Sequence, residues 1–143
     1  MKFRYRKFNL SPSSDFFGKQ ILKPIIPIKI LKANIVLQYV ALIDSGADFC
    51  IFDAGLGEYL GLNIKSGTEV QFGGIQSLGG AKAYIHRVTL GIGGHEFKTD
   101  IGFSYDISKN GYGILGQKGF FDLFAVKFDL QKEDIELKER ISK

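Results

Sequence analysis

The stretch around Asp44 contains residue types that could take part in acid–base chemistry. An apolar run, 35–43, is interrupted only by Gln38 and leads directly into Asp44-Ser45-Gly46. Both alternating faces of the run are largely apolar, which predicts a strand buried on both sides. Serine and glycine favour a tight turn after it. A carboxylate at the mouth of a buried strand is costly unless compensated, so Asp44 is a candidate acid–base group, with a solvated turn as the alternative.

Two segments of the chain resemble motifs of one protein family. The run 41–48, Ala-Leu-Ile-Asp-Ser-Gly-Ala-Asp, resembles the active-site signature of the retropepsin-like aspartic proteases. Downstream, Gly113-Ile114-Leu115-Gly116 followed by Phe120-Phe121 is similar to that family's apolar-apolar-Gly segment and its closing helix. The two motifs occur in the family's order and about a retropepsin core apart. The resemblance covers about 24–129 and looks closest to the cellular, bacterial-type members.

The resemblance implies a catalytic role for Asp44 that needs a second copy of the chain. An aspartic protease places two carboxylates on one water, one ionised to take its proton and one protonated to polarise the scissile carbonyl. Only one Asp-Ser/Thr-Gly occurs here, because Asp53-Ala54-Gly55 lacks the hydroxyl and is better suited to cap a helix. The second carboxylate would therefore be Asp44 of a partner in a homodimer, across a two-fold axis.

The family pattern assigns supporting roles to the neighbours of Asp44. Ser45 would hydrogen-bond across the dimer beneath the carboxylates. The Gly46 amide would bind its own carboxylate, and the Gly46 carbonyl would accept from substrate. Ala47 would keep the wall of the site small, Asp48 would bind substrate backbone, and Gly116 would pack closely behind the catalytic loop.

A long hairpin over 70–90 carries a glycine-rich tip and fits a flap over an extended peptide. Glycine permits both movement and a close approach of backbone amides to a ligand. The alternative is a plain hairpin with a mobile tip. As a flap, the tip would bind substrate through Ile75, Gln76, Ser77, Leu78 and Gly79.

The segment Gln117-Lys118-Gly119 departs from the family pattern. Viral members usually carry arginine and then aspartate or asparagine at this point, and the arginine pairs with the second aspartate of the signature. Here that arginine is absent, so Asp48 needs another partner. A catalytically silent fold used for dimerisation or peptide binding is therefore kept as the alternative to an aspartic endopeptidase.

Composition narrows the other function classes. The 143 residues suffice for one domain with its own core, and a single cysteine excludes an intrachain disulfide. We therefore expect a reducing, cytoplasmic location, no cofactor and no metal. No apolar stretch reaches the length of a membrane span, and the N-terminus lacks the apolar region of a signal peptide, so no membrane partner is expected.

The formal charge is +4, and four basic residues lie in the first seven positions, interleaved with aromatic residues. A nucleic-acid-binding arm has this composition. So does a strand with Phe3 and Tyr5 on one face and charges on the other, which we favour because charge runs are usually solvated faces. Nucleic acid is therefore not an expected partner.

The sequence pattern predicts a mainly β fold with one or two short helices. The resemblance implies a single retropepsin-like acid protease barrel over 1–143 with a flap hairpin. We predict a loop at 11–14, an edge or entry strand over 21–31 because of its two prolines, and a turn at Gly93-Gly94. Asp53 should cap a short helix that ends at Gly61. Phe120, Phe121 and Phe124 fall at helical spacing.

Overall fold

The computed structural model describes residues 1–73 and 80–140. Within them the chain is built mainly from strands, with one α-helix, α1 (Ala54–Tyr59), and one 3-10 helix (Ile64–Ser66). The strands are β1 (Lys2–Arg4), β2 (Arg6–Ser14), β3 (Gly18–Lys23), β4 (Ile25–Lys32), β5 (Ile35–Ile43), β6 (Ile51–Asp53), β7 (Thr68–Phe72), β8 (Ala81–Ile92), β9 (His95–Ser104), β10 (Gly113–Leu115), β11 (Phe124–Asp129) and β12 (Asp134–Glu139).

Seven strands form the central sheet in the order β4-β5-β10-β6-β9-β8-β7. A further pairing, in which Lys29–Leu31 of β4 lie opposite Thr89–Gly91 of β8, brings the sheet back on itself. This closes the barrel predicted from the sequence. Pro27 lies in the half of β4 that pairs only with β5, where its missing amide costs no ladder bond on the other side.

The short strand β10 lies between β5 and β6 and positions the end of β5. It runs parallel to β5, with Leu115 opposite Ile43, and antiparallel to β6, with Ile114 opposite Ile51. Because parallel strands end at the same edge of a sheet, the residues after Ile43 and after Leu115 emerge side by side.

The barrel interior is filled by aromatic and branched side chains from almost every element. In β4 the buried Ile26, Ile28 and Ile30 alternate with the exposed Pro27 and Lys29, as period-2 burial requires. The bulkiest fully buried side chains of the core are Phe52, Phe103, Phe120 and Phe124.

The N-terminal segment forms strands, as predicted. β1 pairs with β12, and β12 pairs with β11, in a separate three-stranded sheet. Phe3 and Tyr5 are partly buried against the core, and the intervening Arg4 is exposed and pairs with Glu133 and Asp134. The basic charges of this segment therefore lie on a solvated face.

The predicted loop at 11–14 is wrong, because β2 continues to Ser14 and pairs with β3 through a register shift after Asn9. The reversal lies instead at 15–17. There the Ser14 hydroxyl accepts from the amides of Phe16 and Phe17, at 3.1 Å each. These hydrogen bonds to the Ser14 side chain fix the turn at 15–17, directly after the segment 11–14 whose proline and serine composition predicted a loop.

Two further predictions are corrected. β5 is not buried on both faces along its first half, where Val36 is 50% exposed and Gln38 is exposed, because β10 covers only Ala41–Ile43. The closing helix at 120–124 is absent, since consecutive turns run to Leu123 and β11 begins at Phe124.

Other local predictions are confirmed. The Asp53 carboxylate caps α1 by accepting from the Gly55 amide at 2.9 Å, and Gly61 follows with a φ of 82°. The turn between β8 and β9 is Gly93-Gly94, with φ of 58° and 84°. In the described part of the chain, no helix is long and apolar enough to cross a bilayer.

Candidate active site

Asp44 is the first residue after β5, and three backbone amides fix the turn that it begins. Its own amide donates to the Leu115 carbonyl at 3.0 Å, which ties it to the end of β10. Its carbonyl accepts from the Ala47 amide at 3.1 Å, closing the turn. Its Oδ1 accepts from the Gly46 amide at 3.0 Å. The Gly46 amide thus engages one carboxylate oxygen, and no hydrogen bond to the other is formed by residues 1–73 and 80–140.

The segment after β10 lies alongside this loop and is bonded to it at successive residues. The amide of Gln117 donates to the Ala47 carbonyl at 2.8 Å, and that of Lys118 donates to the Asp48 carbonyl at 2.9 Å. The Gln117 side chain also reaches the loop, and its Nε2 donates to the Ser45 carbonyl at 3.0 Å. The loop is therefore held to a second strand end along most of its length.

Gly116 lies directly behind the loop. A Cβ built on it would lie 2.3 Å from the Phe49 carbonyl oxygen and 2.8 Å from that of Ala47, both backbone atoms that cannot rotate away. Its amide donates to the Cys50 Sγ at 3.4 Å. Cys50 is fully buried, and this burial raises the pKa of its thiol to about 12, so the thiol is neutral.

The outward face of the loop is open. Ser45, Gly46 and Asp48 are exposed, and Asp44 and Ala47 are partly buried. Among residues 1–73 and 80–140, no hydrogen bond reaches the Ser45 hydroxyl and no cation pairs with the Asp48 carboxylate.

The outer end of the paired part of the β7–β8 hairpin lies beside the same loop. Phe72, the last residue of β7, packs edge-on against Phe49, with ring centroids 5.7 Å apart. The predicted hairpin is confirmed by the pairing of Thr68–Phe72 with Ala81–Ile85. The predicted substrate-binding residues Ile75, Gln76, Ser77, Leu78 and Gly79 lie outside the described residues.

Two polar contacts at the outer end of the paired hairpin were missed by sequence reasoning. The buried Ser104 donates its hydroxyl to the Lys82 carbonyl at 2.6 Å. The Asp106 carboxylate accepts from the Lys82 amide at 2.9 Å. Ser104 is the last residue of β9 and Asp106 lies just after it, where polar residues are common, so no sequence signal distinguishes them. Gln117 was noted only as a departure from the family pattern.

No metal site forms at the loop within the described ranges, where no three His, Cys, Asp or Glu side chains are grouped closely enough. An open groove of about 830 Å³ lies elsewhere, between Phe3, Pro27, Tyr39 and the turn at Gly93, and Asp44 does not line it. What the loop offers chemically is one carboxylate, that of Asp44, at an exposed turn.

Comparisons with known proteins agree with this architecture. No protein-family model matches the chain, and no curated protein matches its sequence. A retropepsin-like aspartic protease from Rickettsia conorii shares 15% sequence identity at a TM-score of 0.57, over 96% of this chain and 92% of that one. The EIAV protease in complex with an inhibitor shares 24% identity over 66% of this chain and 82% of that one.

The EIAV comparison has a TM-score of 0.46, which is too low to support a conclusion about this chain. The Rickettsia protein matches over nearly the full length of both chains, and it bears on the architecture alone. Together with the mainly β barrel and its strand order, this likeness shows that the chain has a retropepsin-like fold.

Proposed function

We propose that this protein is an aspartic endopeptidase that acts as a homodimer, with Asp44 of each copy as the catalytic pair. The observation that carries the proposal is the hydrogen bond from the Gly46 amide to Asp44 Oδ1. It fixes the Asp44 carboxylate at an exposed turn of a retropepsin-like barrel. In the proposed dimer, the other oxygen of this carboxylate faces the partner carboxylate and a water.

The proposed chemistry needs both carboxylates in different states. Two carboxylates at contact distance do not both ionise, so the pair shares one proton. The ionised member takes a proton from the water while the water oxygen bonds to the scissile carbonyl carbon. The protonated member gives its proton to the carbonyl oxygen. Collapse of the resulting diol breaks the C–N bond: the carboxyl that took the proton of the water gives it to the leaving amine, and the other carboxylate takes a proton back from a diol hydroxyl.

Several features support a dimer. One chain supplies only one carboxylate of this motif, and a two-fold axis brings equal residues face to face. The Ser45 hydroxyl is exposed and has no bond within the described residues, which suits the proposed bond across the axis.

The substrate in this proposal is an extended peptide or protein segment. The Gly46 carbonyl and Asp48 would bind its backbone, and 75–79 would cover it as the tip of a flap. The contact of Phe72 with Phe49 supports a flap at this place, since it puts the open end of the hairpin beside the catalytic loop.

A second candidate is a catalytically silent dimerisation or peptide-binding module. The observation that favours it is the Asp48 carboxylate, which has no cation paired with it in the described part of the chain. Asp48 in this state could still bind a peptide backbone without any hydrolysis at Asp44.

A digest of a diverse peptide mixture across pH, followed by mass spectrometry, separates the two candidates. The wild-type protein should cleave, and Asp44→Asn should lose at least ~10²-fold of the rate, because the amide cannot take a proton from water. Asp15→Asn, at the exposed β2–β3 turn, is the matched control and should cleave normally. Cleavage by Asp44→Asn would place the chemistry elsewhere.

Mixing the wild type with Asp44→Asn tests the shared site. Each mixed dimer has one carboxylate, so activity should fall as the square of the wild-type fraction after exchange of subunits. Sedimentation at micromolar concentration should show a dimer. A linear fall would mean that one chain suffices, and a peptide-binding protein with no cleavage at any pH would favour the silent module.

A further inference from the structure

We propose that Gln117 is a positioning residue that fixes the plane of the Ser45–Gly46 peptide and, through it, the amide that holds the Asp44 carboxylate. This inference rests on the proposed function for its catalytic consequence. Its structural part depends only on hydrogen bonds within one chain.

Two hydrogen bonds meet on a single peptide unit. The Ser45 carbonyl accepts from Gln117 Nε2 at 3.0 Å, and the Gly46 amide donates to Asp44 Oδ1, also at 3.0 Å. Since the peptide is planar, its C=O and N–H point in opposite directions and turn together. Holding the carbonyl therefore aims the N–H at the carboxylate, and the bond to the carbonyl also strengthens the N–H as a donor.

The Gln117 side chain starts from a fixed backbone. Its amide donates to the Ala47 carbonyl at 2.8 Å, and its carbonyl accepts from the Asp122 amide at 3.1 Å. It directly follows Gly116, which is packed against Phe49. These main-chain contacts do not involve the Gln117 side chain, so a substitution removes the amide donor and leaves the frame of the loop in place.

The peptide needs such a hold. Ser45 and Gly46 are exposed, and glycine gives its side of the peptide little steric resistance to rotation. Within 1–73 and 80–140, Gln117 is the one side chain that bonds the Ser45 carbonyl. Gln117 occupies the place where viral retropepsins usually have arginine. In this chain a neutral hydrogen-bond donor therefore replaces the arginine and bonds the turn.

Three variants test the role of the donor. Gln117→Met keeps the length of the side chain and removes the donor. Gln117→Arg places its Nε–H the same number of bonds from the backbone as Gln117 Nε2, so it can restore the bond. Gln38→Met, at an exposed position on β5, is the matched control for the loss of a surface glutamine.

The first readout is the Gly46 amide signal in a ¹H–¹⁵N NMR spectrum. In the wild type its proton should resonate downfield because it bonds a carboxylate. In Gln117→Met the signal should move upfield and its exchange with solvent should become faster, and Gln117→Arg should reverse both changes. A Gly46 signal that Gln117→Met leaves unchanged would overturn the proposal.

The second readout is kinetic. Loss of one hydrogen bond of ordinary strength should lower kcat about 3–10-fold in Gln117→Met. KM should change less than kcat, and Gln117→Arg should restore kcat. A shifted Gly46 signal with unchanged kcat, or no rescue by Gln117→Arg, would remove the positioning role. If the wild type cleaves no peptide, the proposed function fails, and the NMR result still decides whether Gln117 holds the peptide.

Discussion

The loop at Asp44 and the β7–β8 hairpin lie side by side, yet they are held in different ways. The loop is bonded to the 115–118 segment at Asp44, Ala47 and Asp48 and lies against Gly116. In the described residues β7 pairs only with β8, and β8 pairs with β9 only from Tyr84 onward. The outer part of the hairpin is thus a two-stranded ribbon.

The difference matches what each region would have to do in the proposed enzyme. A carboxylate that transfers protons must stay within hydrogen-bond geometry, so it benefits from a frame of main-chain bonds. A lid must open for substrate, and a ribbon with one bonded edge leaves the sheet at lower cost than a central strand.

Gly116→Ala should disrupt the loop most strongly. Its Cβ would meet the Phe49 carbonyl oxygen at 2.3 Å, so two backbone segments must move apart. We expect a loss of about 3 kcal/mol or more in the free energy of unfolding by denaturant, together with loss of peptide cleavage.

Gly55→Ala is the control for that change, since its Cβ would make an ordinary contact with Asp53 at 3.5 Å. It lies in α1 and should be neutral or more stable by up to about 1 kcal/mol. If Gly116→Ala were as stable as the wild type, the loop at Asp44 would not be packed tightly against Gly116, and the contrast with the hairpin would be lost.

The buried Cys50 thiol should make the free energy of unfolding depend on pH, and this dependence measures the packing beneath the loop. Burial raises the pKa of its thiol from 9.0 to about 12, and the Gly116 amide lowers it in part. Below pH 9 the thiol is protonated in folded and unfolded chains, so its contribution is fully present. From about pH 9 to 12 only the unfolded chain loses the proton, and stability should fall by about 1.4 kcal/mol per pH unit.

The measurement is the free energy of unfolding of the wild type and of Cys50→Ala between pH 8 and 11. Other groups titrate alike in both proteins, so their difference isolates the thiol. The advantage of the wild type should shrink as pH rises above 9. A difference that stays constant over this range would mean that water reaches the thiol beneath the loop.

Asp106→Ala should loosen the outer end of the paired hairpin without changing the loop at Asp44. It removes the acceptor of the Lys82 amide, an exposed bond worth about 1 kcal/mol. Hydrogen exchange at Lys82 should become about 5-fold faster. Asp100→Ala removes the exposed ion pair with Arg87 and is the control, expected to cost less. Faster exchange at Gly46 in Asp106→Ala would contradict the separation of the two regions.

The smallest expected effect is the coupling between the two regions through Phe49 and Phe72. A double-mutant cycle with Phe49→Leu and Phe72→Leu should give about 0.5–1.5 kcal/mol, as edge-on aromatic pairs do. Phe128→Leu, on β11, should be additive with Phe49→Leu. Additivity of the Phe49 and Phe72 changes would mean that the hairpin moves without support from the loop.

Local features were predictable because their causes lie within a few residues. The turn at Ser45-Gly46 after an apolar strand, the Asp53 cap of α1 and the glycine turn at 93–94 each follow from side-chain chemistry at neighbouring positions. The retropepsin-like fold was predicted from the resemblance of the two motifs to those of that family, and each motif lies at a strand end in the structure.

The features that were predicted wrongly depend on tertiary contacts. Helical spacing of Phe120 and Phe124 suggested a helix, but both rings are buried in the core 5.3 Å apart, and Asp122 Oδ1 accepts from the Gly119 amide. Those contacts favour turns and an early start of β11. Burial along β5 likewise depends on how far β10 extends beside it, which no local pattern encodes.

The sequence by itself determined which residue carries the candidate carboxylate and that it ends a strand, because residue type and apolar patterning are local. Only the tertiary structure decided what surrounds it. The insertion of β10 between β5 and β6 brings Gln117 to Ser45, a contact between residues 72 positions apart. A hydrogen bond across that separation depends on strand order and register, which are set by the packing of the whole barrel.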